Sequence, residues 1–520
     1  MASTLAFDPQ GDCSFSPKNG CSFNPKQDCS FDPKTDCSFD PKQDCSFDPK
    51  QDCSFNPKQD CSFDPKQDCS FDPKQDCSFQ PGNDCSFVSK TDCSFPNSAG
   101  NVNHKGYNRR IATVANIIES QGLRARSIST ILYDEESYFP QNSFLFKVDL
   151  DGSMSRPVFT GSQHGTVRAP NDLSTVTVQL SNPKALGINN TNRVENHVAS
   201  RFLIRQAMLE LGGPCFVPAT FAWKAIDQEQ DWGWLICEYI DGVPLREVFP
   251  ALQPSEQELV LEDVATVLRA IQTAKLPEDL VFTGLTFDQN GHIISGHAPS
   301  RQDEPAATIK EAKNRLIAES MKKANESPIV QGWRKGGICD RVHAFLHDGG
   351  LHKLLDQADA HGKILVYAEL IMETMLFNAK TKRLSAVVDF DMIHISNPLA
   401  QFIDALFNLG GNLTYQEPTT CEAILSGSFD KAPEALSNEA QKQWDTAMMF
   451  DRAMRAKGCL RPCEIKGAKE MLDLNRFIDL VCPFQLTDEG ELTRLSEEKK
   501  STILAQKEAG LTQWLYEHGY

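Results

Sequence analysis

Carboxyl and hydroxyl side chains that could support phosphoryl transfer are concentrated in one stretch, residues 365–391. The apolar triplet 386–388 has the pattern of a short buried strand, and Asp389 follows where that strand should end in a cleft. Upstream, Glu369 and Thr374 lie in the loop between two predicted strands. In phosphotransfer sites a loop carboxylate takes the proton of the acceptor, while a polar loop side chain and an acidic residue at a strand end hold metal ions. The stretch therefore predicts phosphotransfer chemistry, with the neighbouring strands placing the side chains.

The order of these residues resembles the catalytic loop of the aminoglycoside phosphotransferase family in its fungal form. That loop reads His-x-Asp, four residues, Asn, and then Asp-Phe-Asp. The resemblance places the family's His on Tyr367, its catalytic Asp on Glu369, its metal-binding Asn on Thr374 and its second metal-binding Asp on Asp389. Glu369 keeps a carboxylate but moves it by about one bond length, and displacements of ~1 Å can cost about a hundredfold in rate. The resemblance thus implies a Mg²⁺-dependent frame with a degenerate catalytic loop.

The same resemblance implies an ATP-binding cleft. The basic strand residue that reaches the phosphates in the family falls on Gln179, and its partner on the next helix falls on Glu195. A neutral amide cannot supply the missing charge, so Glu195 would lack its partner, and the alternative interpretation is that Arg193 and Glu195 form a solvated helix face. Glu238 and Ile240 would offer backbone groups to an adenine edge. We therefore expect ATP binding to be weak or absent.

Alternating apolar patterns predict three antiparallel strands in front of this cleft, at residues 128–133, 143–149 and 175–180. The turn over residues 134–143 carries three acidic residues and no glycine, which makes it a poor cradle for phosphates. Together with the resemblance, these patterns predict an α+β protein with a bilobal, protein-kinase-like fold. The small β-rich lobe would cover residues 101–240 and the large helical lobe residues 241–520.

An octapeptide, Cys-Ser-Phe-Asp-Pro-Lys-Gln-Asp with close variants, repeats through residues 1–100 and holds 11 of the 18 cysteines. The recurring proline excludes a helix. One Phe and one Cys per unit are too little apolar surface to offset the entropy of ordering eight residues, so a disordered, low-complexity arm is predicted. Three alternatives stay open: thiols that gather soft metal ions, a Phe ladder that docks a partner, or a repeated peptide substrate.

The composition of the chain argues against several classes of function. The 520 residues carry a formal net charge of −18, which disfavours binding to nucleic acid or to anionic lipid. No apolar run approaches the length of a membrane span, and the first residues lack the features of a secretory signal. We therefore expect a cytoplasmic protein with reduced thiols.

Three functions follow from these observations. The first is a catalytically impaired kinase-like protein that acts as a binding or regulatory pseudokinase. The second is an atypical ATP-dependent phosphotransferase that uses Glu369 as base and Asp389 as metal ligand, with a small hydroxylated or amino acceptor. The third is a scaffold or peptide-substrate carrier in which the repeat arm is the working part. The sequence identifies neither the acceptor nor a protein partner.

Overall fold

The computed structural model describes residues 103–104, 106–131, 141–151, 159–185, 187–226, 232–300, 305–358, 362–430 and 436–520. The repeat arm lies outside the described residues, as does most of the predicted phosphate-covering turn, residues 134–140. Val114–Tyr133 and Gln141–Tyr520 form one compact unit, and the other unit comprises Met1–Thr113 and Asp134–Pro140. The lobe boundaries at residues 100 and 240 stay predictions.

The first part of the structure is a helix followed by a five-stranded antiparallel sheet in the order β1-β2-β3-β5-β4. The elements are α1 Tyr107–Ser120, β1 Ala125–Ile131, β2 Ser143–Leu150, β3 Thr175–Ser181, α2 Arg193–Leu211, β4 Thr220–Lys224 and β5 Gly233–Glu238. Strand β3 is central because Val178 pairs with Phe146 on one side and with Ile236 on the other. The strands predicted at residues 143–149 and 175–180 are confirmed, whereas β1 begins before the predicted residue 128.

Short strands then alternate with helices and carry the predicted catalytic loop. They are β6 Val243–Pro244, β7 Leu285–Phe287, β8 Ile293–Ser295, β9 Ile364–Tyr367, β10 Met375–Asn378, β11 Arg383–Val387 and β12 Ile393–Ser396. Strand β9 pairs with β12, and β10 lies between β11 and β6. Residues 368–374 therefore form the connection between two small sheets, and the acidic turn 389–391 connects the same two sheets one step later.

Helices make up most of the remainder. They are α3 Leu245–Val248, α4 Pro254–Thr273, α5 Ile309–Glu326, α6 Ile338–His347, α7 Gly350–Ala358, α8 Ala400–Asp404, α9 Pro418–Ser426, α10 Asn438–Lys457, α11 Ala468–Val481, α12 Phe484–Thr487, α13 Glu489–Arg494 and α14 Glu497–Glu517. An antiparallel sheet combined with a larger helical part confirms the predicted α+β class. In the described part of the chain, no helix has the length and apolarity that crossing a membrane requires.

Helix α4 runs through the middle of the apolar core. Val264 and Leu268, one turn apart, are both fully buried, as the helical spacing of apolar residues predicts. Near the end of the chain, Trp514 packs edge-on against Phe345, with ring centroids 4.9 Å apart, and lies 4.7 Å from Phe477. These contacts fix α14 against α6 and α11.

Helix α14 begins with a side-chain cap that can be tested. The Oγ of Ser496 accepts a hydrogen bond from the backbone N–H of Lys499 at 3.3 Å. Ser496→Ala is expected to lower the free energy of unfolding by about 1 kcal/mol, because this N–H loses its acceptor. Urea denaturation measures the loss. Ser496→Asp keeps an acceptor and should retain stability, so an equal loss in both variants would contradict the capping role.

Candidate active site

Tyr367, in the place of the family's His, connects the predicted catalytic loop to the acidic turn. Its hydroxyl lies 2.5 Å from the carbonyl oxygen of Val388 and 2.7 Å from that of Asp389. Its backbone N–H donates to Oε1 of Gln401 at 2.8 Å, and Nε2 of Gln401 donates back to the Tyr367 carbonyl at 2.9 Å. The ring stacks on Phe390, with centroids 4.9 Å apart. The strand end, the loop and the turn are thus fixed by one buried side chain.

Glu369 and Thr374 lie in this loop. The Thr374 hydroxyl forms its hydrogen bond with the backbone of the same loop. Thr374 Oγ1 donates to the carbonyl oxygen of Glu369 at 2.5 Å, which closes the loop. The Glu369 carboxyl receives a long hydrogen bond of 3.4 Å from Nδ2 of Asn142, and its Oε2 is enclosed with no partner in the described structure. Burial, together with the nearby charges of Asp389 and Asp391, raises the pKa of Glu369 well above its ordinary value. This carboxyl therefore keeps its proton to higher pH than an ordinary glutamate does.

Asp389 follows β11 directly, and its backbone adopts the left-handed conformation with φ of +65°. Such a conformation is uncommon for residues other than glycine and often marks a functional position. The residue is half-buried and faces the cleft described below. Burial and the adjacent Asp391 carboxylate raise the pKa of Asp389 to about 8. It is therefore a second carboxyl that keeps its proton near neutral pH.

Asp391 has the opposite environment, because a fixed cation contacts it. Arg193 Nη2 lies 2.5 Å from Oδ2 of Asp391, and both side chains are 1% exposed. Ser143 Oγ donates to the same oxygen at 2.6 Å, and His197 Nδ1 lies 3.4 Å from Oδ1. Burial alone would raise the pKa of Asp391, but Arg193 and His197 outweigh it and hold that pKa below its ordinary value. Burial lowers the pKa of His197, so the imidazole is neutral.

The interpretation of Arg193 as part of a solvated helix face is wrong. The side chain is 2% exposed. Besides Asp391, it donates to the carbonyl oxygens of Asn142 and Asn182, the latter at 2.9 Å. It therefore connects the start of α2 to two strands and to the acidic turn. Glu195, the predicted partner of the strand position, is half-buried on the same turn of α2.

A small, partly open cleft lies next to this network. Of the residues predicted from the sequence, Gln179, Glu238, Ile240 and Asp389 line it. Gln179 is 2% exposed, and its Nε2 donates to Ser143 Oγ at 2.9 Å. The other three predicted residues, Glu195, Glu369 and Thr374, are not part of its described lining. The structure thus brings three of the four predicted nucleotide-binding residues together with Asp389 of the acidic turn.

Helix α2 carries a basic stripe that was not predicted from the sequence, formed by Arg193, His197, Arg201 and Arg205. These residues recur every fourth position, so they share one face of the helix. Arg193 and His197 contact Asp391, Arg201 lines the cleft, and Arg205 lies 3.8 Å from the Glu238 carboxylate. The spacing of four was the signal that could have found them.

The family implies ATP and Mg²⁺, and the residues fit these two groups unequally. His197, Asp389 and Asp391 could hold a metal, since one ligand atom from each lies within 4.8 Å of the others. However, both oxygens of Asp391 are already in contact with Arg193, Ser143 or His197. Mg²⁺ also prefers oxygen ligands over imidazole. This donor set does not fit Mg²⁺.

The nucleotide base fits better. At the edge of the cleft, the N–H and C=O of Ile240 have no hydrogen-bond partner among the described residues, which leaves them for a ligand. An adenine edge needs one donor and one acceptor of this kind.

A strand-and-helix structure with this loop, acidic turn and cleft is typical of kinase-like phosphotransferases. Residues 197–423 match the model of the phosphotransferase enzyme family APH, so this part of the chain is similar to that family. The resemblance seen in the sequence is confirmed at this level, while the fungal branch stays a prediction. The match begins within α2, so Gln179 and strands β1–β3 lie outside it. No curated protein matches the chain.

Solved structures of aminoglycoside phosphotransferases are distantly similar. APH(4)-Ia is 13% identical, with 79% of this chain and 99% of that chain covered and a TM-score of 0.38. APH(2'')-Ib bound to ADP is 13% identical, with the same coverage and a TM-score of 0.41. The streptomycin–ATP complex of APH(2")-IIa is 12% identical, covers 77% and 97%, and has a TM-score of 0.40.

Proposed function

We propose that this protein is a nucleotide-binding pseudokinase, in which the phosphotransferase frame binds a ligand and phosphotransfer is impaired. The observation that carries the proposal is the buried ion pair between Arg193 and Asp391, 2.5 Å long. Phosphotransferases place a divalent metal ion beside the acidic residue at the strand end. Here a guanidinium, built into the protein, lies against the acidic turn.

The charge of Arg193 opposes a metal ion at this turn. Two unit charges 4 Å apart interact by about 4 kcal/mol at an effective dielectric constant of 20, and a divalent ion doubles that repulsion. The same guanidinium lowers the pKa of Asp389 and Glu369, although burial outweighs it in both. The site therefore obtains its positive charge from α2 and needs none from a metal.

The proposed base is also unsuited to its task. A general base must be ionised and within hydrogen-bond reach of the proton that it takes. Burial raises the pKa of Glu369, its Oε2 is enclosed, and its Oε1 faces Asn142. Phosphoryl transfer to an acceptor hydroxyl would therefore be slow.

Calorimetry on the full chain tests this proposal. ATP is expected to bind weakly, with dissociation constants in Mg²⁺ and in EDTA equal within about twofold. Asp389→Asn, which removes the proposed metal ligand, is the matched control and should bind ATP as the unmodified protein does. Affinity that rises about tenfold or more with Mg²⁺ and falls in Asp389→Asn would contradict the proposal.

A second candidate function is the atypical phosphotransferase with a small hydroxylated or amino acceptor. The grouping of His197, Asp389 and Asp391 favours it, because their ligand atoms are close enough to share one divalent ion, which would be one that accepts an imidazole ligand more readily than Mg²⁺ does. It would use Glu369 as base. The metal-dependent outcome of the same titration, together with phosphate transfer that is lost in Glu369→Gln, would support this candidate over the pseudokinase.

The partners and the location in the cell are also proposals. A protein partner bound through the repeat arm, residues 1–100, would fit a regulatory or scaffold role, although the arm lies outside the described residues. We expect neither nucleic acid nor a membrane as partner, because of the net charge of −18. We keep the cytoplasm as the proposed compartment.

A further inference from the structure

Arg201 is a buried cation whose charge is not matched by a carboxylate. It lies in the middle of α2 and is 3% exposed. Its Nε donates to the carbonyl oxygen of Pro218 at 2.9 Å, and its guanidinium lies 5.3 Å from the centroid of the Phe390 ring. Across the residues that the structure describes, Arg201 forms no ion pair within 4.0 Å. A buried charge without a counter-charge is costly unless a ligand supplies one.

The surroundings of the guanidinium form one wall of the cleft. Arg201 lines the cleft together with Gln179, Cys237 and Asp389. Burial raises the pKa of the Cys237 thiol, so this neighbour is neutral. Asp389, the carboxyl that lines the same wall, forms no ion pair with Arg201 in the described structure. Arg201 therefore gives this wall of the cleft a positive charge, although β3 contributes no basic residue to it.

The neighbouring basic residues of α2 already have partners within the protein. Arg193 is bound to Asp391 at 2.5 Å, and Arg205 lies 3.8 Å from Glu238 and donates to the carbonyl oxygen of Val217. These contacts leave Arg201 as the member of the α2 stripe with a charge available to a ligand. A planar guanidinium is well suited to phosphate oxygens, which it can bind through two parallel N–H groups.

We propose that Arg201 is the phosphate-binding cation of this cleft. The anionic end of the ligand is bound from α2, and the missing basic residue at position 179 on β3 is thereby replaced. The inference rests on the proposed function in taking the ligand to be a nucleotide. Arg201 itself requires only a phosphate group, which a nucleotide or a free polyphosphate can provide.

The unmodified full chain provides the first test, in a buffer with EDTA. Calorimetry compares ADP, adenosine and pyrophosphate. Because a hydrogen bond to a charged group contributes more than a neutral one, ADP should bind about ten- to a hundredfold more tightly than adenosine. Equal affinity for ADP and adenosine would overturn the proposal without any variant.

Variants supply the second test. Arg201→Met should reduce the affinity for ADP to that for adenosine and leave adenosine binding unchanged, while Arg201→Lys should lose less. The matched control is Lys147→Met, since Lys147 is a half-exposed cation over the Tyr239 ring and the change removes the same charge. An equal loss of ADP binding in Lys147→Met and Arg201→Met would show that any lost positive charge weakens binding. That result would contradict a specific role for Arg201. If Arg201→Met does not fold, Arg201→Lys and the ligand series decide.

The outcomes separate this inference from the proposed function. Pyrophosphate binding that depends on Arg201, without binding of adenosine or ADP, would support the phosphate site and reject the nucleotide. If the ratio of ADP affinity to adenosine affinity in both Arg201 variants equals that of the unmodified protein, the cleft binds a nucleotide but Arg201 is not its phosphate-binding residue. Failure to bind all three ligands would overturn both proposals.

Discussion

Arg193→Met is expected to lower the free energy of unfolding by about 3–5 kcal/mol, which is the usual result of removing one partner of a buried ion pair. The variant leaves the Asp391 carboxylate, 1% exposed, without its counter-charge. It also removes the donor for the carbonyl oxygens of Asn142 and Asn182. Urea unfolding at pH 7, followed by circular dichroism, measures the loss.

A double variant separates the charge effect from packing. In Arg193→Met with Asp391→Leu both charges are gone, so part of the lost stability should return, since apolar replacement of a whole buried pair is often neutral. Arg193→Lys keeps the charge but cannot reach several acceptors at once, and should fall between the two. A loss below about 1 kcal/mol in Arg193→Met would show that the pair is dispensable.

Asp389→Asn is expected to stabilise the protein at neutral pH by about 2–4 kcal/mol. The pKa of Asp389 is about 8 in the folded protein, against an ordinary value of 3.8. Between these values the unfolded chain has lost the proton and the folded protein keeps it. The stability of the unmodified protein therefore falls as pH rises through this window. Asn resembles the protonated acid and tolerates the left-handed backbone at this position.

Thermal unfolding in EDTA from pH 4 to pH 8 checks this effect. The stabilisation by Asp389→Asn should be close to zero at pH 4 and grow towards pH 8. Asp391→Asn is the matched control on the same turn, because the pKa of Asp391 is lowered and its contribution is present above pH 3.8. That variant should be destabilised at neutral pH. A gain from Asp389→Asn that does not change with pH would contradict the raised pKa.

The frame of this protein is largely contained in local sequence patterns. The alternation of apolar residues places β2 and β3, and the helical spacing in α4 places its buried face. The order Tyr367, Glu369 and Asp389 follows from the family resemblance, and the structure brings the three residues to adjacent connections of two small sheets. Apolar residues that recur at every second position in strands, or at nearly every fourth in helices, form local patterns. The sequence alone is therefore enough to predict these elements.

The electrostatic partners could not be derived in the same way. Arg193 and Asp391 are separated by 198 residues along the chain, and no local rule connects them. Their contact depends on how α2 packs against the acidic turn, which is a tertiary property. The family resemblance places the functional helix residue at Glu195, whereas the inward face of α2 carries residues 193, 197 and 201. A shift of two positions on a helix turns a side chain to a different face.

The role of Thr374 shows a second limit. The sequence does not distinguish a hydroxyl that faces a metal from one that bonds to the backbone, because Ser and Thr commonly bond to nearby carbonyls. The structure has it donate to the carbonyl of Glu369 at 2.5 Å. Thr374 therefore stabilises the loop itself, and its assignment as a metal ligand stays a prediction.

Helix α2 is attached along its length to the parts of the molecule on either side of the cleft. Arg193 bonds to the strand region and the acidic turn, Asn196 Nδ2 donates to the Ile393 carbonyl at 2.8 Å, and Arg201 bonds to the Pro218 carbonyl. A helix fixed at its start and in its middle cannot swing outward as a rigid lever. Moving this helix outward would break these contacts together, so an open arrangement would lose the free energy of all three.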